Sequence, residues 1–219
     1  NYWDYDSSTW RNFLISDSYE PGSTFKIVTA STALEEGTVN ENSSFYCPGY
    51  VMVSGSRIGC WSSVPHGSQN LAESVQHSCN PAFVAIGQSI EAKQPGLFYK
   101  YITAFGFGQN TGIQLPGETN GIMQAKENVN SVEIATISIG QGIAVTPVQM
   151  ITAACAVAND GVLQKPQIVS KVTDGDKVVW EMEPEVVRQV VSADTAQKVR
   201  EMMVGVVTDG SGSKAAIQG

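Results

Sequence analysis

The sequence predicts an α+β protein whose helices pack on a central antiparallel sheet. Helical and hairpin patterns are mixed along the chain, without the strand–helix–strand alternation that builds a parallel sheet. Hydrophobic residues make up 42% of the 219 residues, which is enough for one sizeable core. Charged residues contribute only 16% and glycine occurs at 21 positions, a composition typical of a folded, loop-rich protein.

Four segments have the pattern of a helix. In the first, residues 23–36, the apolar residues Ile27, Ala30 and Leu34 recur on one side, and Gly37 offers a stop. The other three helices are expected after Pro81, Thr146 and Ser192.

The helix after Thr146 has a complete start signal. Thr146 is the N-cap, Pro147 takes the first helical position, and Gln149 completes a capping box. Its interior is apolar all round, so we expect a core helix in which Cys155 is a packing residue.

Extended segments are predicted in two places. Residues 45–60 read as a hairpin that turns near Ser54-Gly55, and residues 167–181 read as a strand pair around Asp174-Gly175. The segment 106–123, between them, is rich in turn residues and is expected to be a loop.

The distributions of charged and of apolar residues bear on nucleic-acid binding and on membrane spanning. The net charge is -8 and no basic cluster occurs, so nucleic acid is not an expected partner. No apolar run approaches the roughly 20 residues of a membrane-spanning helix.

Ser23 and Lys26 form the first candidate catalytic pair. They lie three positions apart at the start of a helix, which places their side chains on one face, about 5–6 Å apart at Cβ. A lysine whose pKa is lowered by apolar neighbours can take the proton of a serine and make the hydroxyl nucleophilic. The alternative is a capping serine beside a surface lysine, and a second pair of this spacing, Ser211 and Lys214, lies in a Gly/Ser turn.

Ser78 and Asn80 form the second candidate group, two positions apart before Pro81. The hydroxyl can relay a proton, and the amide can hold a substrate carbonyl or the lysine. Turn hydrogen bonding is the alternative, and Ser68 with Asn70 repeats the spacing.

Four stretches, in order along most of the chain, resemble the penicillin-binding protein transpeptidase domain of class B, the division, elongation and sporulation group. They are "EPGSTFK", "HSCNPAF", "FGFGQNTGIQLPGE" and "SIGQGIAVTPVQM". The resemblance implies a β-lactamase/transpeptidase-like fold and an acyl-serine D,D-transpeptidase that cross-links peptidoglycan stem peptides. A β-lactam sensor and a serine β-lactamase share the serine–lysine pair, but the last two stretches favour the transpeptidase.

The resemblance also implies a role for each candidate. Ser23 would be the acylated nucleophile and Lys26 its base, Ser78 would transfer protons, and Asn80 would contact the substrate amide. The substrate would be a stem peptide ending in D-Ala-D-Ala, which β-lactams resemble, and catalysis would need no cofactor. The parent protein would be anchored in the membrane at the extracytoplasmic face, with a glycosyltransferase as a possible partner.

The third motif of that family, K-[ST]-G, does not occur in the sequence, because no lysine is followed by that dipeptide. We therefore expect residues 1–219 to be a transpeptidase domain incomplete at both ends, without its C-terminal sheet strands and inactive alone.

Three cysteines and a histidine suggest a metal site. Cys47, Cys60, His66 and Cys79 would make a complete set for tetrahedral, structural Zn²⁺, with His77 as a competing ligand. A Cys47–Cys60 disulfide is the alternative, since the two residues are equidistant from the predicted hairpin turn. The tryptophans are interpreted as packing residues or cleft rims rather than a stacking platform: Trp3, Trp10, Trp61 and Trp180.

Overall fold

The computed structural model describes Asp4, Asp6 and residues 11–217 and confirms a mixed α+β fold. Trp3 and Trp10 lie outside the described residues. The helices are α1 Phe13–Ser16, α2 Lys26–Glu35, α3 Leu71–Gln76, α4 Asn80–Lys93, α5 Leu97–Ala104, α6 Ser131–Ile137, α7 Pro147–Ala158 and α8 Ala193–Thr208. Within these described residues, no helix is both long and apolar enough to cross a bilayer.

The strands form small antiparallel pairs. They are β1 Ser44–Cys47, β2 Tyr50–Val53, β3 Ser56–Gly59, β4 Gly67–Asn70, β5 Val162–Gln164, β6 Lys171–Asp174, β7 Lys177–Glu181 and β8 Val186–Gln189. Strand β1 pairs with β4, β2 with β3, β5 with β8, and β6 with β7. The central sheet that the sequence predicts is therefore not found between residues 11 and 217, where helices pack mainly on other helices.

The core surrounds α2, which contacts α4, α5, α7 and α8. Its largest fully buried side chains are aromatic: Phe25, Phe83, Phe98, Phe105 and Phe107. Each of these rings buries roughly 150–250 Å² of apolar surface, so they contribute strongly to the stability of the core.

Helix α7 begins as the sequence predicts, but it is not buried all round. Thr146 and Gln149 form the capping box, and Pro147 is the first helical residue. The outer face meets solvent, where Ile151 is 59% exposed and Cys155 is exposed as well. The expectation that Cys155 is a packing residue is therefore wrong, because an apolar composition does not say how many faces the fold covers.

The predicted hairpin at 45–60 is correct only in its inner part. Strands β2 and β3 pair around Ser54-Gly55. Cys47 lies on β1, which pairs with the distant strand β4, where Gly67 is the residue opposite Cys47. The backbone changes direction between β1 and β2 at Gly49. Its φ is +95°, a value that glycine adopts readily because it has no Cβ.

Helix α8 is fixed to the end of α2 by one carboxylate. Glu35 Oε2 accepts hydrogen bonds from the backbone N–H and hydroxyl of Ser192, at 3.0 and 2.8 Å, and from the Thr195 hydroxyl at 2.6 Å. Ser192 also caps α8, as predicted. The anchor sets the position of the helix that forms one wall of the candidate cleft.

Candidate active site

Ser23 lies in a 3₁₀ turn, Gly22–Phe25, that leads directly into α2. The sequence predicts a helix from this residue, and the structure places a tighter turn there. In a 3₁₀ turn the side chains at i and i+3 eclipse, so Ser23 and Lys26 lie on the same side. The serine is exposed, as a nucleophile that must meet a substrate has to be.

The Lys26 side chain is buried and does not point into solvent. It is only 5% exposed, and its amine lies 5.2 Å from the centroid of the Phe83 ring. Burial lowers the pKa of Lys26 to about 8, because desolvation disfavours the charged ammonium form. At pH 7 about a tenth of the lysine is therefore a free amine, far more than for a lysine of ordinary pKa.

The Lys26 amine connects α2 to the loop between α3 and α4. It donates to the Ser78 carbonyl at 2.7 Å, to the Ser78 hydroxyl at 3.0 Å and to Asn80 Oδ1 at 2.8 Å. The Asn80 amide is oriented in turn, because its Nδ2 donates to the Gly59 carbonyl at 2.9 Å. The structure thus brings all four predicted catalytic residues to one place.

Ser78 has a strained backbone at this point. Its φ is +50°, which a residue other than glycine seldom adopts. Such strain costs on the order of 1–3 kcal/mol and is typical of functional sites. Here the left-handed conformation directs both the carbonyl and the hydroxyl of one residue to the lysine.

The two competing pairs are structural. Asn70 caps α3 in a reciprocal arrangement with Glu73. Ser211 donates its hydroxyl to the Gln76 carbonyl, and Lys214 is exposed. Asn70 and Lys214 are both exposed to solvent, whereas Lys26 is buried.

The nucleophile turn rests on the chain at Gly140. The Gly22 N–H donates to the Gly140 carbonyl at 2.9 Å. A Cβ on Gly140 would lie 2.0 Å from the Gly22 oxygen, and its φ is +77°. The Gly140-Gln141-Gly142 stretch is thus a tight turn behind the site, and the close approach explains why glycine stands there.

Three contributors to the site were not identified from the sequence: Phe83 beneath the lysine, the Gly59 carbonyl, and Glu20. Glu20 accepts from the Gly142 N–H at 2.8 Å and so connects the segment before Ser23 to the turn. No local motif marks these residues, because each acts through a contact between distant parts of the chain.

An apolar cavity of about 230 Å³ adjoins the catalytic residues. Its walls come from α2, α3 and α8, with polar atoms near the serine and lysine. The lining residues include Ser23, Lys26, Ser78, Val199, Met202 and Val206.

The three cysteines and His66 gather beside the loop that carries Ser78 and Asn80. The potential ligand atoms of Cys47, Cys60, His66 and Cys79 all lie within 4.8 Å of one another. Zn–S bonds of ~2.3 Å would put tetrahedral ligands roughly 3.8 Å apart, so little closure is needed. The cysteines are free thiols, so the predicted Cys47–Cys60 disulfide is not formed.

The surroundings of this cluster suit metal ligands. Burial raises the pKa of Cys47, but N–H groups of His66 and Gly49 outweigh it and lower that pKa below its usual value. Burial lowers the pKa of His66 and keeps the imidazole neutral, as a ligand must be. Burial raises the pKa of Cys79 to about 12 without a metal, so a cation there would be needed to hold that thiolate.

A buried amide also points to a thiolate in the cluster. Gln69 is 3% exposed, and its Nε2 has no hydrogen-bond partner. The same side chain lowers the pKa of Cys79 against the effect of burial. A Cys79 thiolate would give the orphaned N–H groups an acceptor, which is how outer groups commonly support metal ligands.

A family model described as the penicillin binding protein transpeptidase domain matches residues 1–219. The chain belongs to that family. The resemblance predicted from the four motifs is confirmed, and the relatives of this transpeptidase domain are class B penicillin-binding proteins.

Two relatives show what share of a longer protein this transpeptidase domain corresponds to. Stage V sporulation protein D of Bacillus subtilis is 42% identical over 212 residues, or 95% of this chain and 32% of that protein. The peptidoglycan D,D-transpeptidase MrdA of Escherichia coli is 29% identical over 174 residues, or 74% of this chain and 27% of the relative. The chain spans about a third of the length of the curated relatives it matches.

Solved structures confirm the transpeptidase-like fold. The D,D-transpeptidase domain of a peptidoglycan glycosyltransferase from Eggerthella lenta has a TM-score of 0.88 at 29% identity, covering 98% of this chain and 54% of that one. Penicillin binding protein 3 from Mycobacterium tuberculosis, in complex with aztreonam, has a TM-score of 0.84 at 32% identity, covering 95% and 47%.

Acylation of Ser23 is expected to accelerate as the pH rises and to level off above about pH 8. Burial lowers the pKa of Lys26 to about 8, so the ammonium form predominates below that value. Only the free amine can accept the serine proton, so the rate should fall about tenfold per pH unit on the acid side. Labelling rates with a fluorescent penicillin between about pH 6 and 9 test this. A flat profile would contradict a lysine base.

Proposed function

We propose that this transpeptidase domain is the catalytic part of an acyl-serine D,D-transpeptidase. The observation that carries the proposal is the buried Lys26 amine, held by Ser78 and Asn80 beside the turn that presents Ser23. The amine is desolvated, its pKa is lowered, and it lines the same cavity as the exposed Ser23. It suits activation of a nucleophile.

The reaction proceeds in two acyl transfers. Ser23 Oγ attacks the penultimate D-Ala carbonyl of a stem peptide while its proton passes to Lys26. The C–N bond breaks, the terminal D-Ala leaves as an amine with a proton delivered through Ser78, and an ester remains on Ser23. A primary amine of a second stem then attacks the ester, the C–N bond forms as the ester C–O bond breaks, and Ser23 Oγ takes up the proton that the amine releases.

The negative charge of each tetrahedral intermediate needs backbone donors. The Ser23 N–H, at the start of the 3₁₀ turn, is the first donor in this proposal. The family resemblance assigns the second to a K-[ST]-G strand, which residues 1–219 do not contain. The domain is accordingly expected to need the rest of its protein for full activity.

The proposal extends to ligands and location. Peptidoglycan stem peptides are the substrates, and β-lactams acylate Ser23 in their place; the Mycobacterium tuberculosis relative has been solved with aztreonam and with ampicillin. The full protein is proposed to act, membrane-anchored, at the extracytoplasmic face, with a glycosyltransferase as its partner.

Mass spectrometry of the full-length protein tests the function. A peptide ending in D-Ala-D-Ala and a primary amine should together yield free D-Ala, a transfer product and an acyl group on the peptide that contains Ser23. Ser68→Ala serves as the control, because Ser68 is an exposed serine on β4 that does not line the cavity beside Ser23. Acylation without transfer would indicate a sensor, and rapid release of a β-lactam would indicate a β-lactamase. An unmodified Ser23 would overturn all three.

We also propose a structural Zn²⁺ held by Cys47, Cys60, His66 and Cys79. Four protein ligands leave no open position, so the metal would brace the loop that carries Ser78 and Asn80 and take no part in the reaction. The mutual distances of the ligand atoms and the orphaned Gln69 amide support this site over unlinked thiols.

Elemental analysis tests the zinc site. The full-length protein purified under reducing conditions is expected to carry one zinc per chain, and Cys47→Ser should lose it together with several degrees of thermal stability. Cys155→Ser is the matched control, because Cys155 is exposed on α7 and outside the cluster. Zinc retained by Cys47→Ser, or absent from the unmodified protein, would contradict the proposal.

A further inference from the structure

Trp61 is an exposed aromatic residue that is nevertheless held in place. It is 61% exposed, and its indole N–H donates to the His77 carbonyl at 2.8 Å. Its ring centroid lies 6.2 Å from that of His66, which stacks on His77 at 4.9 Å with an interplanar angle of 11°. A large side chain fixed at the surface, with its ring still open to solvent, is suited to contact a ligand.

The indole binds the backbone immediately before Ser78, the proton-transfer residue of the proposed reaction. His77 immediately precedes Ser78, so the carbonyl that Trp61 binds belongs to the peptide unit leading into the Ser78 backbone. Cys60 precedes Trp61 in the sequence, so the tryptophan also adjoins the cluster of three cysteines and His66. The position of Trp61 is thus fixed by the His77 carbonyl on one side and by this cluster on the other.

The two acyl transfers place the incoming amine beside Ser78. The amine that attacks the ester must enter where the D-Ala amine departed, because deacylation retraces the geometry of acylation. Ser78, which supplies the proton to the leaving nitrogen, receives the proton of the entering one. The acceptor amine therefore approaches the ester past Ser78, which follows the carbonyl that Trp61 binds.

We infer that Trp61 binds the acceptor substrate, a stem peptide that presents a primary amine on an aliphatic chain. This rests on the proposed transpeptidase function. The methylene groups of the acceptor pack against the exposed indole face, and its ammonium group interacts with the ring electrons until it reaches Ser78. In the transfer itself, the acceptor ammonium first gives one proton to the free amine of Lys26 and so becomes nucleophilic. The ester C–O bond breaks as the C–N bond forms, and the second proton passes through Ser78 to Ser23 Oγ.

The experiment measures how the acyl-enzyme partitions between transfer and hydrolysis. The full-length protein is acylated with a D-Ala-D-Ala peptide in the presence of increasing concentrations of Nα-acetyl-lysine amide as acceptor. Trp61→Ala is expected to lower the transfer-to-hydrolysis ratio about tenfold and to raise the acceptor concentration for half-saturation. Trp61→Phe, which keeps an aromatic face without the N–H, should restore most of the ratio. Because the ratio starts from enzyme already acylated, it does not depend on the acylation rate.

Trp180→Ala is the matched control, since Trp180 is 42% exposed on β7 within a separate hairpin, and it should leave the ratio unchanged. Zinc content and melting temperature are recorded for each variant. An unchanged ratio in Trp61→Ala would overturn the inference, as would a Trp61→Phe variant no better than alanine. If the unmodified protein forms no acyl-enzyme, the proposed function itself fails, which is a distinguishable result.

Discussion

Replacement of Lys26 by methionine is expected to slow β-lactam acylation of the full-length protein by about 10³-fold. Methionine keeps an unbranched apolar stem in the buried position, so the packing against Phe83 should survive. The variant loses the base for Ser23 and the donor to Ser78 and Asn80. Stopped-flow or time-resolved gel labelling with a fluorescent penicillin gives the rate.

The matched control is Lys214→Met, which changes the lysine of the second Ser-x-x-Lys pair in an exposed 3₁₀ turn. That variant should label at the unmodified rate. Circular dichroism and melting curves of both variants establish that they are folded. A folded Lys26→Met protein that acylates within about threefold of normal would refute the role of the amine as base.

Replacement of Gly140 by alanine is expected to lower the free energy of unfolding by about 4 kcal/mol. The added Cβ would lie 2.0 Å from the Gly22 backbone oxygen, and neither segment can yield without breaking the Gly22–Gly140 hydrogen bond. A positive φ adds strain of its own. Urea unfolding measures the loss, and slower acylation should accompany it, because Gly22 directly precedes the nucleophile.

Gly175→Ala separates the clash from the strain. Gly175 also has a positive φ, of +57°, but a Cβ there meets no atom within 4 Å. This control should cost only about 1 kcal/mol, the penalty of the left-handed conformation alone. Equal losses in the two variants would show that the contact behind Ser23 contributes nothing.

Capping and turn residues were sufficient to predict the helices and hairpins whose ends depend on a few neighbouring residues. The capping box at Thr146, the Ser192 cap and the turn at Asp174-Gly175 were all predicted and are all present. The four catalytic candidates could also be chosen in advance, because their motifs are short and lie at the starts of helices. Their catalytic roles remain predictions that the geometry supports.

Long-range contacts account for what the sequence did not predict. Cys47 was expected to face Cys60 across a hairpin, yet strand β1 pairs with β4 across an intervening hairpin. Alternation of residues identifies a strand but not its partner. The exposed face around Ile151 has the same explanation, since hydrophobicity alone cannot tell which side of α7 the fold leaves uncovered.

The contacts of the Lys26 amine have a consequence for the direction in which it can act as a base. A free amine has two N–H bonds and one electron pair. Two of its three neighbours, the Ser78 carbonyl and Asn80 Oδ1, can only accept, so together they occupy both N–H bonds. The electron pair is then left for hydroxyl groups. The direction of the Lys26 electron pair is thus determined by the Ser78 carbonyl oxygen and Asn80 Oδ1, rather than by the serine whose proton it takes. Asn80 is itself oriented by its hydrogen bond to the Gly59 carbonyl.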